Sequence, residues 1–421
     1  MGSTRLEHPF QKIPSGQLES LEGLMDQFRA DTHPKRTNLM IGVFKTDDQK
    51  SYVLPTVKQA KEKIFNDSDW NHDYRASHLG SQTFRDASAR LLFGANSNLV
   101  HERRIVSMQA LGASGACHMG AVLLRDHYAP WKYAAEPRVY VPEQSWANHA
   151  FVFTSLGIKA ASLPYYDDVT RTLDFAALKL SIDKLPPQSV VVLQNGAQNP
   201  TGCDPTPTQW QELASVFQER GHLAFFDAAY PGFASGDIDE DLECVRLFAQ
   251  QDIPVMLAAT YSKCFGLYCE RVGILSVVVP DEEVGKRMEI QMRLQARSET
   301  GAMPDFGSMV VETILTNYKM ERQWREEVRG MAQRLQHRRN ELKARLDQLE
   351  TPGDWGHIMK QKGMFSYIGL SQKQIRLLRD AHHVYIQDSG RLSIAGLNPS
   401  NIDYVALSID DTVRQTMDSE L

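Results

Sequence analysis

The sequence predicts an α/β protein built around a mostly parallel sheet, and three observations predict it. Short β-branched runs alternate with helical stretches through the middle of the chain, the pattern of βαβ units. Apolar residues make up 42% and charged residues 23%, an ordinary globular balance that argues against extended disorder. The length of 421 residues is enough for two or three domains.

The expected strands are Ile105–Leu111, Arg138–Val141, Ser189–Leu193, Leu223–Asp227, Val255–Thr260 and Gly273–Val279. Helical patterns lie between them, such as Pro207–Arg220. Turn-rich pieces fall at Asp31–Arg36 and Thr46–Lys50. Trp324, Val328, Met331, Leu335, Leu342, Leu346 and Leu349 step by three, four or seven, which marks one long amphipathic helix. Beyond it, Gly363–Leu370 and the Ile394–Ile409 region read as strands of a second unit. The expected division is a large domain over 51–325 and a small α+β domain over 326–421, with residues 1–50 packing on the small domain.

Charge and cysteine usage exclude several classes. A net charge of −6 makes non-specific nucleic-acid binding a poor fit, because that relies on many cationic contacts to phosphate. No apolar run approaches 18 residues, so no transmembrane helix is expected. Met1–Pro14 has neither an apolar signal core nor an Arg-rich amphipathic pattern. Five cysteines (Cys117, Cys203, Cys244, Cys264 and Cys269) lack zinc spacing and favour a reducing compartment. The expectation is a cytoplasmic protein with no metal.

Four segments carry candidate chemistry. Leu111-Gly-Ala-Ser-Gly-Ala-Cys-His-Met-Gly120 follows a strand and opens a helix, whose free N–H groups suit an anion. Its spacing matches neither the dinucleotide fingerprint nor the P-loop, and a plain tight turn is the alternative. Asn199-Pro-Thr-Gly202 is a turn at the C-terminal end of a buried strand, where open α/β sheets bind ligands. Asp227 ends another apolar strand, where an acid is costly without a partner; a cation or a capping role would answer that cost. Lys263 follows a third apolar strand. A desolvated lysine has a lowered pKa and can form a Schiff base with a carbonyl, although a surface lysine is the common case.

Together these segments resemble the aspartate aminotransferase family, the class I enzymes that use pyridoxal 5′-phosphate (PLP). The resemblance extends over nearly the whole chain. It includes Asn38-Leu-Met-Ile-Gly-Val43, Ser145-Trp-Ala-Asn-His149, Asn199-Pro-Thr-Gly202, Asp227-Ala-Ala-Tyr230, Ser262-Lys263, Gly266-Leu-Tyr-Cys-Glu-Arg271, Gly363-Met-Phe-Ser366 and Ser389-Gly-Arg391. It implies the PLP-dependent transferase fold type I and a homodimer with shared active sites.

The resemblance also implies roles. Lys263 would carry PLP covalently and later shuttle the substrate proton. Asp227 would pair with the pyridine nitrogen, with His149 behind it. Asn199 and Tyr230 would bond the phenolic oxygen, and Trp146 would stack on the ring. Ala113, Ser114, Thr260 and Arg271 would hold the phosphate, and Tyr74 would reach the neighbouring subunit's phosphate. Arg391 would grip the substrate α-carboxylate as a planar fork. Gly42 and Ile41 would line the entrance. Arg297 would read the distal carboxylate of an acidic substrate from across the dimer.

The chain departs from the family pattern in three places. The phosphate loop reads Gly112-Ala-Ser-Gly115 instead of Ser-Gly-Thr-Gly. Two histidines are replaced by Gln194 and Gln198, and an amide cannot carry a histidine's charge. The segment Glu299-Thr-Gly-Ala-Met-Pro-Asp-Phe-Gly307 replaces an Asn-Tyr-Ser-Asn-Pro-Pro type sequence. Glu299 could neutralise Arg297, and Phe306 removes a polar group. The expected activity is transamination between an acidic L-amino acid and a 2-oxo acid. The alternative on the same scaffold is a lyase, decarboxylase or carbon–carbon bond-forming reaction, motivated by these departures.

Overall fold

The computed structural model describes residues 8, 10–14, 20–75 and 77–418. Of the N-terminal fourteen residues, 1–7 and 9 therefore lie outside the described residues, and Met1–Pro14 is only partly covered.

Seven strands form the central sheet: β1 (Ile105–Leu111), β2 (Arg138–Pro142), β3 (Lys159–Leu163), β4 (Val190–Gln194), β5 (Leu223–Ala228), β6 (Val255–Thr260) and β7 (Val272–Val278). Their order is β1-β7-β6-β5-β4-β2-β3. Strand β7 runs antiparallel to both of its neighbours, and the other pairings are parallel. The inner strands β4, β5 and β6 are buried along their whole length. They therefore read as continuous apolar runs rather than alternating ones. Val191, Leu193, Ala224, Phe226 and Leu257 pack into one layer of core, and Val190, Val192, Leu223, Phe225 and Met256 into the other. Strand β3 is a short edge strand with a mixed composition, and its weak pattern hides it in the sequence.

Helix α1 (Gly112–His127) leaves the end of β1. Helix α2 (Pro207–Arg220) opens on a capping box between Thr206 and Gln209 and stops at left-handed Gly221. Helix α3 (Glu282–Glu299) follows β7. Helix α4 (Tyr318–Gln348) is the long amphipathic helix, and it buries Trp324, Val328, Met331, Leu335, Leu342 and Leu346. The division expected at 325/326 falls inside it.

The C-terminal layer corrects one expectation. Phe365–Tyr367 and Arg391–Ser393 pair as short antiparallel strands. The Ile394–Ile409 region is not strand: Ile394–Gly396 is a 3-10 turn, and α5 spans Ile402–Asp418. The buried residues Ile402, Val405, Ala406, Ile409 and Val413 recur at helical spacing, and that period outweighs their β-branched character. The N-terminal segment joins this layer, because Thr37–Asn38 pairs in parallel with Val384–Tyr385. From there residues 39–44 run on toward Arg391 and Tyr268.

No helix among the described residues is long and apolar enough to cross a membrane.

Candidate active site

Strand direction assembles the site. Strands β1, β2, β4, β5 and β6 all end at one edge of the sheet, and antiparallel β7 begins there. The residues that follow those ends are Gly112, Trp146, Asn199, Tyr230 and Lys263, and Arg271 immediately precedes β7. This is the edge where open α/β sheets take ligands.

Lys263 lies in a tight loop after β6. The next residue is pinned by α4, because Trp324 Nε1 donates to the Cys264 carbonyl at 2.8 Å. Trp324 also stacks on Phe265 at 4.3 Å. The Lys263 ammonium makes no hydrogen bond or ion pair among the described residues, and it lies 5.1 Å from the Tyr230 ring centroid. Burial lowers its pKa, opposed by the charge of Asp227 and assisted by Arg271 and Arg391. That favours a neutral amine able to attack a carbonyl or take up a proton.

Asp227 is buried at the end of β5. Its Oδ2 lies 2.9 Å from His149 Nε2, and His149 Nδ1 lies 2.8 Å from Ser145 Oγ. Oδ1 of the same carboxylate is buried and has no hydrogen-bond partner among the described residues. An unpaired buried acceptor is costly, and a protonated ring nitrogen would satisfy it. Cys117 lies within 4.8 Å of both His149 and Asp227. Burial, with Asp227 nearby, pushes its thiol far up and favours the protonated form in the metal-free site.

The anion cradle lies where α1 begins. Ala113 is buried and Ser114 half-buried in its first turn. Arg271 is held by the Tyr268 carbonyl at 2.8 Å and the Leu111 carbonyl at 3.3 Å. Gly112 takes a positive φ of 68°, and a Cβ there would sit 2.2 Å from Arg271 Nη2. Only glycine fits beside that guanidinium. The Thr260 hydroxyl is buried and bonds the Val272 carbonyl and Ser262 Oγ. Helix N–H groups, an arginine and hydroxyls make a phosphate-type donor set.

Arg391 faces these groups from the C-terminal layer. It is buried, with Nη1 on Asn199 Oδ1 and Nη2 on the Met40 carbonyl, each at 2.8 Å. Its guanidinium carbon lies 3.9 Å from the Phe365 ring centroid, and Nε has no partner. No ion pair among the described residues neutralises it. Burial lowers its pKa to about 10, which still leaves it charged. A buried cation without a counter-ion is a site for a ligand carboxylate. Gly42 lies against Phe365, where a Cβ would come within 2.6 Å of the ring. Tyr230 packs edge-on against the same ring, and burial raises its pKa. Trp146 is half-buried and meets His149 edge-on at 5.3 Å.

Two expected residues stand apart. Tyr74 is 90% exposed. Arg297 is exposed near the end of α3, and no bond joins either residue to the Lys263 cluster among the described residues. Glu299 does not neutralise Arg297. It accepts from Gln295 Nε2 at 3.0 Å and lies 3.5 Å from His118 Nε2. Phe306 opens the next helix and packs edge-on to Trp70 and near Lys61. Gln194 and Gln198 hold the Asn199 turn: Gln194 bonds the Asn199 backbone, and Gln198 accepts from the Thr201 N–H and hydroxyl.

Sequence reasoning assigned no role to Phe365, Tyr268, Met40, Ser145 or Cys117. All five lie inside the segments that carry the candidate chemistry or the family resemblance, and that adjacency is the available signal.

Comparison with known proteins decides the family. The model for aminotransferase class I and II matches residues 34–409. The chain belongs to that family. It is 39% identical over 405 residues to the cytoplasmic aspartate aminotransferase of Gallus gallus, covering 96% of this chain and 98% of that one. Among solved structures, the aspartate aminotransferase from Saccharomyces cerevisiae cytoplasm aligns with a TM-score of 0.93 at 35% identity, covering 97% and 99% of the two chains. An aromatic-amino-acid aminotransferase from Burkholderia pseudomallei, covalently bound to pyridoxal phosphate, aligns at 0.92 with 32% identity, covering 96% and 100%. The fold is that of the PLP-dependent aminotransferases, and the chemistry is PLP-dependent transamination. The unpaired Asp227 oxygen, the free Lys263 amine and the cradle at Gly112 fit that cofactor. The lyase, decarboxylase or carbon–carbon bond-forming alternative is not favoured: relatives that match over nearly the whole chain are aminotransferases, and the two glutamines brace a turn.

Proposed function

We propose that this aminotransferase moves an amino group between an acidic L-amino acid, of the aspartate or glutamate type, and a 2-oxo acid by a ping-pong mechanism. The observation that carries the reading is Arg391: a buried guanidinium with no counter-ion, held by Asn199 and Met40 beside Lys263. It would take the substrate α-carboxylate and aim the Cα–H bond at the Lys263 amine.

PLP, when bound, supplies an electrophilic carbon for the substrate amine and a protonated ring that accepts the electron pair of the broken Cα–H bond. Lys263 would hold it covalently, and the freed amine would take up and return the proton of the substrate Cα–H bond. Asp227 keeps the ring nitrogen protonated, and His149 holds Asp227 in place by occupying Oδ2. Asn199 spends Oδ1 on Arg391, which leaves its amide N–H₂ and the Tyr230 hydroxyl for the phenolic oxygen. Ala113, Ser114, Thr260 and Arg271 would hold the phosphate, and Trp146 would cover the ring. Gly42 and Ile41 form the wall that excludes water.

Tyr74 and Arg297 act in the neighbouring subunit of a homodimer. Supporting this, Ile290, Leu294 and Arg297 share an exposed face of α3, and Tyr74 and Leu111 are exposed too. The described residues within 1–50 and 326–418 form the smaller unit, and those within 51–325 the larger. The cytoplasmic placement rests on relatives named as cytoplasmic aspartate aminotransferases and on five free cysteines.

Steady-state kinetics on two variants test the substrate reading. Arg297→Ala should lower kcat/KM for aspartate and glutamate roughly tenfold or more while sparing neutral amino acids. Arg391→Ala should lower it for every amino acid by roughly a hundredfold or more. Equal losses for acidic and neutral substrates in Arg297→Ala would remove the distal-carboxylate role.

A further inference from the structure

The turn that carries Asn199 is held by an unusual device. Gln194 is the last residue of β4, in register with Asp227 on β5, and it is buried. Its side-chain Oε1 accepts from the Asn199 N–H at 2.9 Å, and its Nε2 donates to the Asn199 carbonyl at 3.0 Å. Both polar atoms of one amide thus grip the backbone of one residue. The side chain of that residue holds Arg391 at 2.8 Å. Gln198 and Asp204 fasten the same turn further along, through Thr201 and through the Ala197 and Gln198 N–H groups.

We propose that Gln194 is a positioning residue for the reaction, fixing Asn199 and through it Arg391 with a clasp that does not titrate. The inference rests on the reading of Arg391 as the α-carboxylate site. The histidine that the family usually places here could not make this pair. Its two ring nitrogens diverge, and protonation removes the acceptor. The charged and titratable groups around the clasp are Asp227 in register with it and His149 behind Asp227, Tyr165 in the same cavity wall, Asp204 on the turn and Arg391 on Asn199. None of them occupies the amide, whose two polar atoms are taken up by Asn199.

The test uses the PLP-loaded enzyme and calorimetric binding of succinate, an unreactive dicarboxylate, from pH 5.5 to 8.5. Gln194→Glu replaces the Nε2 donor by an oxygen facing the Asn199 carbonyl. Its succinate dissociation constant, relative to wild type, should grow roughly tenfold or more as the new carboxyl ionises. KM should rise more than kcat falls. Gln194→Met removes both polar atoms without a buried charge, and it should give a loss that does not vary with pH. In an Asn199→Ala background, either substitution should add less than about twofold, since coupled residues are not additive. Unchanged succinate binding in both variants, with Arg391→Ala losing it, would overturn the clasp alone. Retained binding in Arg391→Ala would overturn the Arg391 reading and this inference with it. Full losses repeated in the Asn199→Ala background would show a general effect on the fold and refute positioning.

Discussion

The carboxylate of Asp227 is split between two duties: Oδ2 is held by His149 at 2.9 Å, while Oδ1 is buried and unpaired. On the proposed reading, one oxygen fixes orientation and the other would take the ring nitrogen. Asp227→Ala removes both, and kcat should fall by about 10²–10⁴-fold, the scale of a lost proton-transfer partner. His149→Ala removes only the orientation and should cost much less. Stopped-flow half-reactions with each variant measure the gap. A His149 variant as impaired as the Asp227 variant would contradict this division.

No hydrogen bond or ion pair ties up the Lys263 amine among the described residues. Lys263→Ala should lose about 10²–10⁴-fold or more in the rate of Cα–H exchange with solvent, read by NMR on deuterated substrate. Succinate affinity should change little, because Arg391 is untouched. A variant that still exchanges Cα–H at the wild-type rate would place the proton carrier elsewhere.

Gly112 is the tightest point of the anion cradle. Gly112→Ala puts a Cβ into Arg271 and strains a positive φ. Stability should fall by about 1 kcal/mol or more. PLP affinity should fall as well, measured by tryptophan fluorescence on cofactor titration. Unaltered PLP affinity would mean that Arg271 does not set the phosphate position.

Asp204 gives a pH prediction. Burial raises its carboxyl from the ordinary 3.8 to about 6, despite two backbone N–H donors. The unfolded chain releases this proton first. Between about pH 4 and pH 6 the unfolded state therefore holds fewer protons, and this group's contribution to stability falls as pH rises. The stability of wild type relative to Asp204→Asn should drop by about 2–3 kcal/mol across that window and stay level above it. Urea melts at several pH values measure it. A difference that rises with pH would reverse the sign and refute the raised value.

Much of this was legible in the chain because strands, caps and cofactor motifs are local. The runs that became β4, β5 and β6 announce themselves by uninterrupted apolar residues, and the residues after them carry the chemistry. The helical pattern over Pro207–Arg220 marks α2. The C-terminal helix was misread because Ile402, Val405 and Ile409 are β-branched, although their spacing is helical. Long-range partners were not legible. Glu299 turning to Gln295 and His118, Gln194 gripping Asn199, and Phe365 lying under Arg391 all depend on packing between distant segments. The departures that looked like a change of reaction are, for the two glutamines, a change in how one turn is fastened.

The most direct measurement is the half-reaction. The PLP-loaded protein is mixed with L-aspartate or L-glutamate without any oxo acid, and its visible spectrum is followed while the released acid is assayed. Conversion to the pyridoxamine form, with one matching 2-oxo acid released per site, is the predicted result. A spectrum that stays unconverted with both amino acids would contradict an acidic-substrate aminotransferase, as would product formation without a stoichiometric oxo acid.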